Sequence, residues 1–594
     1  MWYDTCSLGK PGKIKRRKIP MKKLFALVLA VIMVMSLMAA CGNTENPGTT
    51  GSTGTTGTQG SQGSTGTTGT TAGKEFSYPM DTDVVLTEWR TPNTNIHNHY
   101  GDVGGFDALP LAAWLEEATG IKVEYVDDYT DMGIDLERQW NSGEYEDIIN
   151  LNWAANYVGG VDAALEDEVI IPLNDVIDKW MPNFKAWMEA NPTLAKEIMT
   201  EDGQIYGIPN INSKADAFTH PTYYRADILE EMGEEEPTTM EGWYNLLKKV
   251  KAEYPDMVPC GIYSAGLLQY GAFAHAYDIG YAAAQNGFAV KDGKIYWQKG
   301  QDSAKAFIQE MAKWKAEGLL SADWAIKGAA DFNKDIINGD VFMAAGWITG
   351  QMQSAQVAGR ELNPDFQLKH LNTPSVNGEA PTHTYANALY SGIVASISTT
   401  CENVEVAARL LDYRWSEEGF MLCNFGKEGV SYDMVDGKAV FKADLLDATH
   451  ADFPGHKESI LEGDEKPWVT SESLARFSMG VWPFGMEKSS DYFPQLMTEK
   501  CCADYLSQTA DSVNSKCWDN QLPSLSYSYD EGKIVSLALN ELNTLFSTYA
   551  TECINGTKEC NDDTWAAFLA EAEEAGLLSA KMAIQAAYDR FLAR

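Results

Sequence analysis

Apolar positions change their spacing along this chain, and each change marks an element. Leu24 to Met35 is an unbroken apolar run, shorter than the roughly 20 residues a membrane-spanning helix needs. From Asn43 to Gly73 the chain is nearly all Gly, Thr, Ser and Gln. Periodic patterning begins after it. Asp83 to Trp89 reads as a strand. Leu109 to Thr119 carries an apolar stripe at helical spacing and stops at Gly120, a residue suited to a left-handed C-cap. Ile121 to Tyr125 alternates apolar and polar like a strand, Met132 to Ser142 is a second helix, and Asp147 to Leu151 is a short apolar strand. Strands alternating with helices predict a parallel α/β sheet. Ligands bind such sheets beyond the carboxyl ends of the strands, which here are Trp89-Arg90 and Asn152-Trp153.

The middle of the chain is richer in helix. Met240 to Glu253, Ala304 to Glu317 and Ala329 to Asn338 have helical periodicity, with strands expected at Val341 to Ala345 and Gly392 to Ile397. No internal repeat is visible.

The first residues are addressing information. Lys22 and Lys23, the apolar run, and the small residues ending in Ala39-Ala40-Cys41 describe a secretory signal peptide over 21–41. The end of that segment resembles a bacterial lipobox, although Met38 stands where the pattern prefers leucine. The resemblance makes Cys41 the lipidated first residue of the mature chain, held on the extracytoplasmic face of the cell membrane. Two acyl chains on one cysteine anchor stably. Residues 1–20, with Lys13, Lys15, Arg16, Arg17 and Lys18 ahead of a second start at Met21, read as an over-extended gene start. Residues 42–78 cannot bury enough apolar surface to offset the entropy of ordering, so they are expected to be a disordered linker. A coil of about 30 such residues spans roughly 30 Å.

Charge and cysteine usage narrow the class. Removing residues 1–41 removes eight basic residues and one acid, leaving 38 basic against 83 acidic and a net charge of −45. Nucleic-acid binding needs basic stripes, so that class drops out. Eight cysteines follow Cys41, without the paired Cys-x-x-Cys knuckles of a structural zinc site. Cys553 and Cys560 flank a glycine-containing turn and are the best placed for a bridge.

Several phrases occur in a telling order. Ile171-Pro172-Leu173-Asn174-Asp175-Val176-Ile177 leads to Trp180-Met181-Pro182-Asn183. Glu201-Asp202-Gly203-Gln204-Ile205-Tyr206-Gly207-Ile208-Pro209 and Tyr224-Arg225-Ala226-Asp227-Ile228-Leu229 follow. Trp415-Ser416-Glu417-Glu418-Gly419, Glu428-Gly429-Val430-Ser431-Tyr432 and Gln585-Ala586-Ala587-Tyr588-Asp589-Arg590 complete the set. Together they resemble the large extracellular solute-binding proteins of Gram-positive ABC importers, distant relatives of maltose-binding protein. The resemblance implies a two-lobed α/β fold of the type II periplasmic-binding-protein kind, with hinge strands between lobes. It places lobe one at 79–213 and 388–435, and lobe two at 214–387 and 436–594. It also implies a monomer that hands its solute to ABC permease subunits, with no cofactor. Many relatives carry a calcium loop after the helix that here ends near Glu253. Glu253-Tyr254-Pro255-Asp256-Met257-Val258-Pro259-Cys260 lacks the alternating oxygen ligands calcium needs, so no metal is expected there.

A sugar site needs flat aromatic faces and planar polar groups that pair with vicinal hydroxyls. The chain has 17 Trp and 27 Tyr, but most aromatics are core, and Trp114, Trp187 and Trp314 lie in helical patterns. Position selects Trp89, Arg90, Asn152 and Trp153 at strand ends, and Tyr390 at the expected return hinge. The resemblance adds Tyr224 and Trp347, with Tyr270 a weaker match. His97 and His99 have no third metal ligand nearby, and a loop at the cleft mouth is their reading. Catalytic signatures are missing: there is no His-Glu-x-x-His, Gly-x-Ser-x-Gly or phosphate loop. A non-enzymatic carrier of a carbohydrate, an oligosaccharide by preference, is the main expectation. Peptide or amino-acid cargo, a surface glycosidase built on two carboxylates, and a non-transporting sensor remain the alternatives.

Overall fold

The computed structural model describes residues 76–90, 106–126, 132–157, 160–213, 219–280, 287–379, 388–446, 485–512 and 522–594. Its strands are β1 (Val85–Arg90), β2 (Lys122–Val126), β3 (Ile148–Leu151), β4 (Ile208–Ile211), β5 (Thr222–Arg225), β6 (Val258–Cys260), β7 (Phe288–Lys291), β8 (Lys294–Trp297), β9 (Val341–Ala345), β10 (Leu368–His370), β11 (Tyr390–Ile397), β12 (Tyr432–Val435) and β13 (Lys438–Phe441).

The first sheet has the order β2-β1-β3-β11-β4. β1 pairs parallel with both β2 and β3, as the alternating pattern predicts. The helix Pro110–Thr119 ends at Gly120 in the left-handed region, φ +71. A Cβ there would fall 2.2 Å from the Met80 carbonyl oxygen, so glycine is required twice over. The sheet is mixed, because β11 runs antiparallel to β3 and to β4. β11 arrives from far along the sequence, so its direction is set by the strands it meets there. The core of this lobe gathers Leu86, Ile148, Ile149, Leu151, Phe184, Ala407 and Leu411.

The second sheet has the order β10-β5-β9-β6. β6 is parallel to β9, whereas β5 is antiparallel to it, with Thr222 opposite Ala345 and Tyr224 opposite Met343. One face packs against the helices Met240–Glu253, Asp302–Ala316 and a C-terminal set, Tyr529–Ile554, Asp562–Glu574 and Leu577–Ala593. Trp243, Leu247, Phe307 and Trp314 fill that core together with Phe546, Phe568 and Ile584. The other face is covered by Phe332, Phe366, Phe425 and Tyr492.

The chain passes from the first sheet to the second between β4 and β5, and it returns to the first at β11. Two segments differ from the expected lobe limits. The hairpin β12–β13 pairs Tyr432 with Phe441, so a boundary at 435 would cut a two-stranded unit that shares one hydrogen-bond ladder. Gly485 to Lys488, expected in lobe two, instead runs beside β4: Ile211 N–H donates to the Met486 carbonyl at 2.9 Å and Lys488 N–H to the Ile211 carbonyl at 2.8 Å. The unpaired edge of β4 accounts for this, because a buried edge must find partners for its backbone.

Candidate functional site

The expected site residues separate by environment. Trp89 is buried in the first core and its indole N–H donates to Asp135 Oδ2 at 2.8 Å. Trp153 is equally buried; its N–H donates to Ser396 Oγ at 2.9 Å, and its ring lies against Trp140 and Tyr157. Arg90 donates through Nε to Glu88 Oε1 at 2.7 Å and lies over the Phe106 ring at 3.8 Å. Arg414 reaches the other Glu88 oxygen at 3.0 Å. Burial opposes the Glu88 charge, but the two guanidinium groups outweigh it and hold the carboxyl below its ordinary range. All three side chains are thereby committed to the interior of lobe one.

Tyr224 is fully buried in the second core, edge-on to Trp243 and near Phe342. The strand direction explains it. The carboxyl end of β9 leads to Trp347, but β5 runs the opposite way, so its start and not its end lies at that edge. The residue delivered there is His220. Gly346 N–H donates to the Pro221 carbonyl at 3.2 Å and Ile348 N–H to the Thr219 carbonyl at 2.8 Å, extending the ladder to hold His220 beside Trp347. Sequence patterning missed His220. The usable signal was the short strand after it, had its antiparallel sense been known.

Trp347 is the large ring left open here, 47% exposed. It lies over His220 with ring centres 3.8 Å apart, and Tyr270 stacks on His220 at 4.6 Å and 28°. Gly346 matters through close approach: a Cβ there would come within 2.8 Å of the Gln351 side chain. That room lets Gln351 Oε1 accept the backbone N–H of Trp347 at 2.8 Å. The result is an aromatic ledge of Tyr270, His220 and Trp347 with one ring presented outward. Burial lowers the His220 pKa to about 4, so the imidazole is neutral at physiological pH.

Asn152 and Tyr390 lie on the first-lobe side. Asn152 is half-buried at the start of the short helix Trp153–Asn156 and sits beside Gly392. Tyr390 is buried in β11, its hydroxyl 3.1 Å from that of Tyr206. Burial and the Tyr206 neighbour push its pKa well up, so it acts as a neutral hydroxyl. The structure therefore groups Tyr270 with Trp347, and Asn152 with the β11 segment that carries Tyr390. It keeps Trp89, Arg90, Trp153 and Tyr224 within the lobe cores. Among the described residues no three His, Cys, Asp or Glu side chains group as metal ligands, and no helix is long and apolar enough to cross a membrane. Cys41, His97 and His99 lie outside the described residues.

Comparison with known proteins gives this arrangement a context. The family model of the bacterial extracellular solute-binding protein matches residues 102–419. The lipoprotein LipO of Bacillus subtilis is 26% identical over 399 residues, covering 63% of this chain and 70% of that protein. The fructooligosaccharide ABC transporter substrate-binding protein FusA of Streptococcus pneumoniae is 24% identical over 337 residues. That match covers 53% of this chain and 59% of FusA, less than two thirds of its length. The structure of FusA in complex with kestose superposes with a TM-score of 0.63 at 17% identity, covering 86% of this chain and all of that one. The alginate-binding protein AlgQ2 superposes with the same score at 20% identity, covering 87% of this chain and all of that one. At these identities the superpositions establish the fold: two lobes of mixed α/β structure.

Proposed function

The chain belongs to the bacterial extracellular solute-binding protein family, and from that premise we propose that it captures an oligosaccharide between its lobes and delivers it to the permease of an ABC importer. The observation that carries this reading is Trp347, a large ring held half open on His220 at the end of a fully buried strand. An exposed indole backed by a rigid neutral imidazole offers the flat apolar face that a pyranose or furanose ring stacks on. Tyr270 extends the ledge, and Asn152 and Tyr390 supply polar groups from the first-lobe side. Lobe closure over the solute would create the surface the permease recognises.

Relatives that bind fructooligosaccharide and alginate support a carbohydrate. Peptide or amino-acid cargo calls for a charged clamp on the ligand's termini. Arg90 is taken up by Glu88, and Arg225 by Asp227 at 2.6 Å, which disfavours that alternative. The protein acts by binding without turnover. In the cell it is a monomer, tethered by lipid on Cys41 at the extracytoplasmic face after removal of the leader.

Calorimetric titration against fructooligosaccharides, alginate oligomers, other glycans, peptides and amino acids tests the cargo, and saturable binding to peptides alone would overturn it. Product formation from the tightest glycan, lost on changing a single carboxylate, would replace the carrier by an enzyme. An unmodified Cys41 peptide in mass spectra of membrane-extracted protein would remove the anchor.

A further inference from the structure

Two pairs of cysteines come together in this protein, in different settings. Cys501 and Cys502 are neighbours in the helix Lys500–Ser512, with sulfurs 3.8 Å apart and both side chains buried. Consecutive helical residues point about 100° apart, so a bond between them would break the helix. Cys553 and Cys560 meet across a turn. Cys553 lies in the last turn of the helix Tyr529–Ile554, and Cys560 precedes Asn561, the N-cap of the helix Asp562–Glu574. Gly556, φ +74, reverses the chain between them, and the two thiols are near enough to shift each other's acidity.

The surrounding structure holds both sides of that turn. Trp324 Nε1 donates to Asn555 Oδ1 at 3.0 Å, and Gln309 Nε2 donates to the Cys560 carbonyl at 2.7 Å. Asn561 Oδ1 accepts the Thr564 N–H at 3.0 Å, fixing the start of the second helix. The pair is also chemically unequal. Cys553 is buried, whereas Cys560 is half-buried with the Tyr549 hydroxyl donating to its sulfur at 3.7 Å. The Cys553 thiol, the Tyr549 hydroxyl and the Lys305 cation favour the thiolate of Cys560, while the thiol of Cys553 is held protonated.

We infer that Cys553 and Cys560 are joined by a disulfide in the exported protein, stapling the tip of the C-terminal helix pair of lobe two. The extracytoplasmic setting implied by the family is one where such bonds persist. The oxidant is the disulfide of an extracytoplasmic thiol–disulfide oxidoreductase. The Cys560 thiolate attacks one carrier sulfur and releases the other as thiolate. Cys553, losing its proton, then attacks Cys560 Sγ and displaces the second carrier sulfur. The protein loses two electrons and two protons, and the carrier ends as a dithiol. The short closed loop constrains the unfolded chain at little cost to the fold, because the turn already brings the two cysteines to the same end of the helix pair.

The test is alkylation of free thiols during denaturing lysis of the cells, so that buried thiols also react, followed by tryptic mapping without reduction. Trypsin cleaves after Lys558, so the bond would join the peptide ending at Lys558 to the one beginning at Glu559. The expected result is that joined pair, separating on reduction, with Cys501 and Cys502 alkylated beforehand. Alkylated Cys553 and Cys560 in unreduced protein would overturn the inference. As a second measure, reductant should lower the denaturation midpoint of the wild-type protein and leave that of a Cys553→Ser, Cys560→Ser double variant unchanged. Equal response of the two proteins would overturn the staple.

Discussion

Trp153 and Trp347 are set up almost identically by the chain and end in opposite environments. Each follows a strand whose residues are all buried, β3 and β9, with one residue between. Trp153 is sealed into lobe one; Trp347 is half open in lobe two. The neighbours decide. Beside β3, the long strand β11 carries Ser396 to receive the Trp153 N–H, and Trp140 and Tyr157 close over the ring. Beside β9, the neighbouring segment places the imidazole of His220 beneath Trp347, whose ring stays half open. An aromatic at a strand end is therefore a site residue only when the adjacent strand leaves its outer face uncovered.

The sharpest way to break this comparison is to disturb the sealed edge of lobe one. Glu88→Gln should cost about 3–5 kcal/mol of stability, because Arg90 and Arg414 would remain buried without their counter-charge. Trp153→Ala should cost a similar amount, about 3–5 kcal/mol, by leaving a cavity. Chemical denaturation measures both. If Trp153→Ala instead left stability within about 1 kcal/mol and abolished solute binding, the two edges would be functionally alike.

Protonation should separate the lobes by sign. In lobe one, burial raises Glu197 to about 7, against the Ser524 N–H that lowers it, and raises Asp412 to about 6. The folded state then holds protons that the unfolded chain has released. The stability these groups contribute is full below about pH 4 and is lost as pH rises through 6 to 7. In lobe two, His220 lies near 4 when folded and 6.5 when unfolded. Its contribution is full above pH 6.5 and is lost as pH falls through 4. Each shift is worth at most about 3 kcal/mol. Denaturation between pH 4 and 8 should show Glu197→Gln flattening the upper limb and His220→Gln the lower one. The same effect of both substitutions on one limb would contradict the assignment.

Trp347→Ala should weaken oligosaccharide binding about tenfold, or about 1.4 kcal/mol, while stability falls by less than that because the ring is half open. Paired calorimetry and denaturation decide: retained affinity with a stability loss of about 3 kcal/mol or more would make Trp347 a packing residue. Gln351→Ala is the mildest probe. It removes one hydrogen bond to the backbone N–H of Trp347, worth about 0.5–1.5 kcal/mol, and should loosen the backbone that carries the ring without removing its face. Affinity should fall less than for Trp347→Ala, and an equal loss would mean that the ledge depends on loop geometry more than on the indole.

Much of this molecule was readable from local pattern. The helices Met132–Ser142, Met240–Glu253 and Ala329–Asn338 and the strand Val341–Ala345 lie where the apolar period puts them. Gly120 caps where its lack of a Cβ is needed. These features depend on residues within a few positions of one another, and the ordered family phrases added the two-lobed fold. The sense of β5 and β11 was not readable, because strand direction depends on partners far away in the chain. That direction put His220, not Tyr224, beside Trp347, and set Ser396 to close over Trp153. Sequence by itself fixed which residues are apolar, aromatic or helix-ending. Tertiary structure decided which aromatic faces are covered, because covering a ring takes atoms from several separate segments at once, and their meeting is settled only when the sheets and their neighbouring strands assemble.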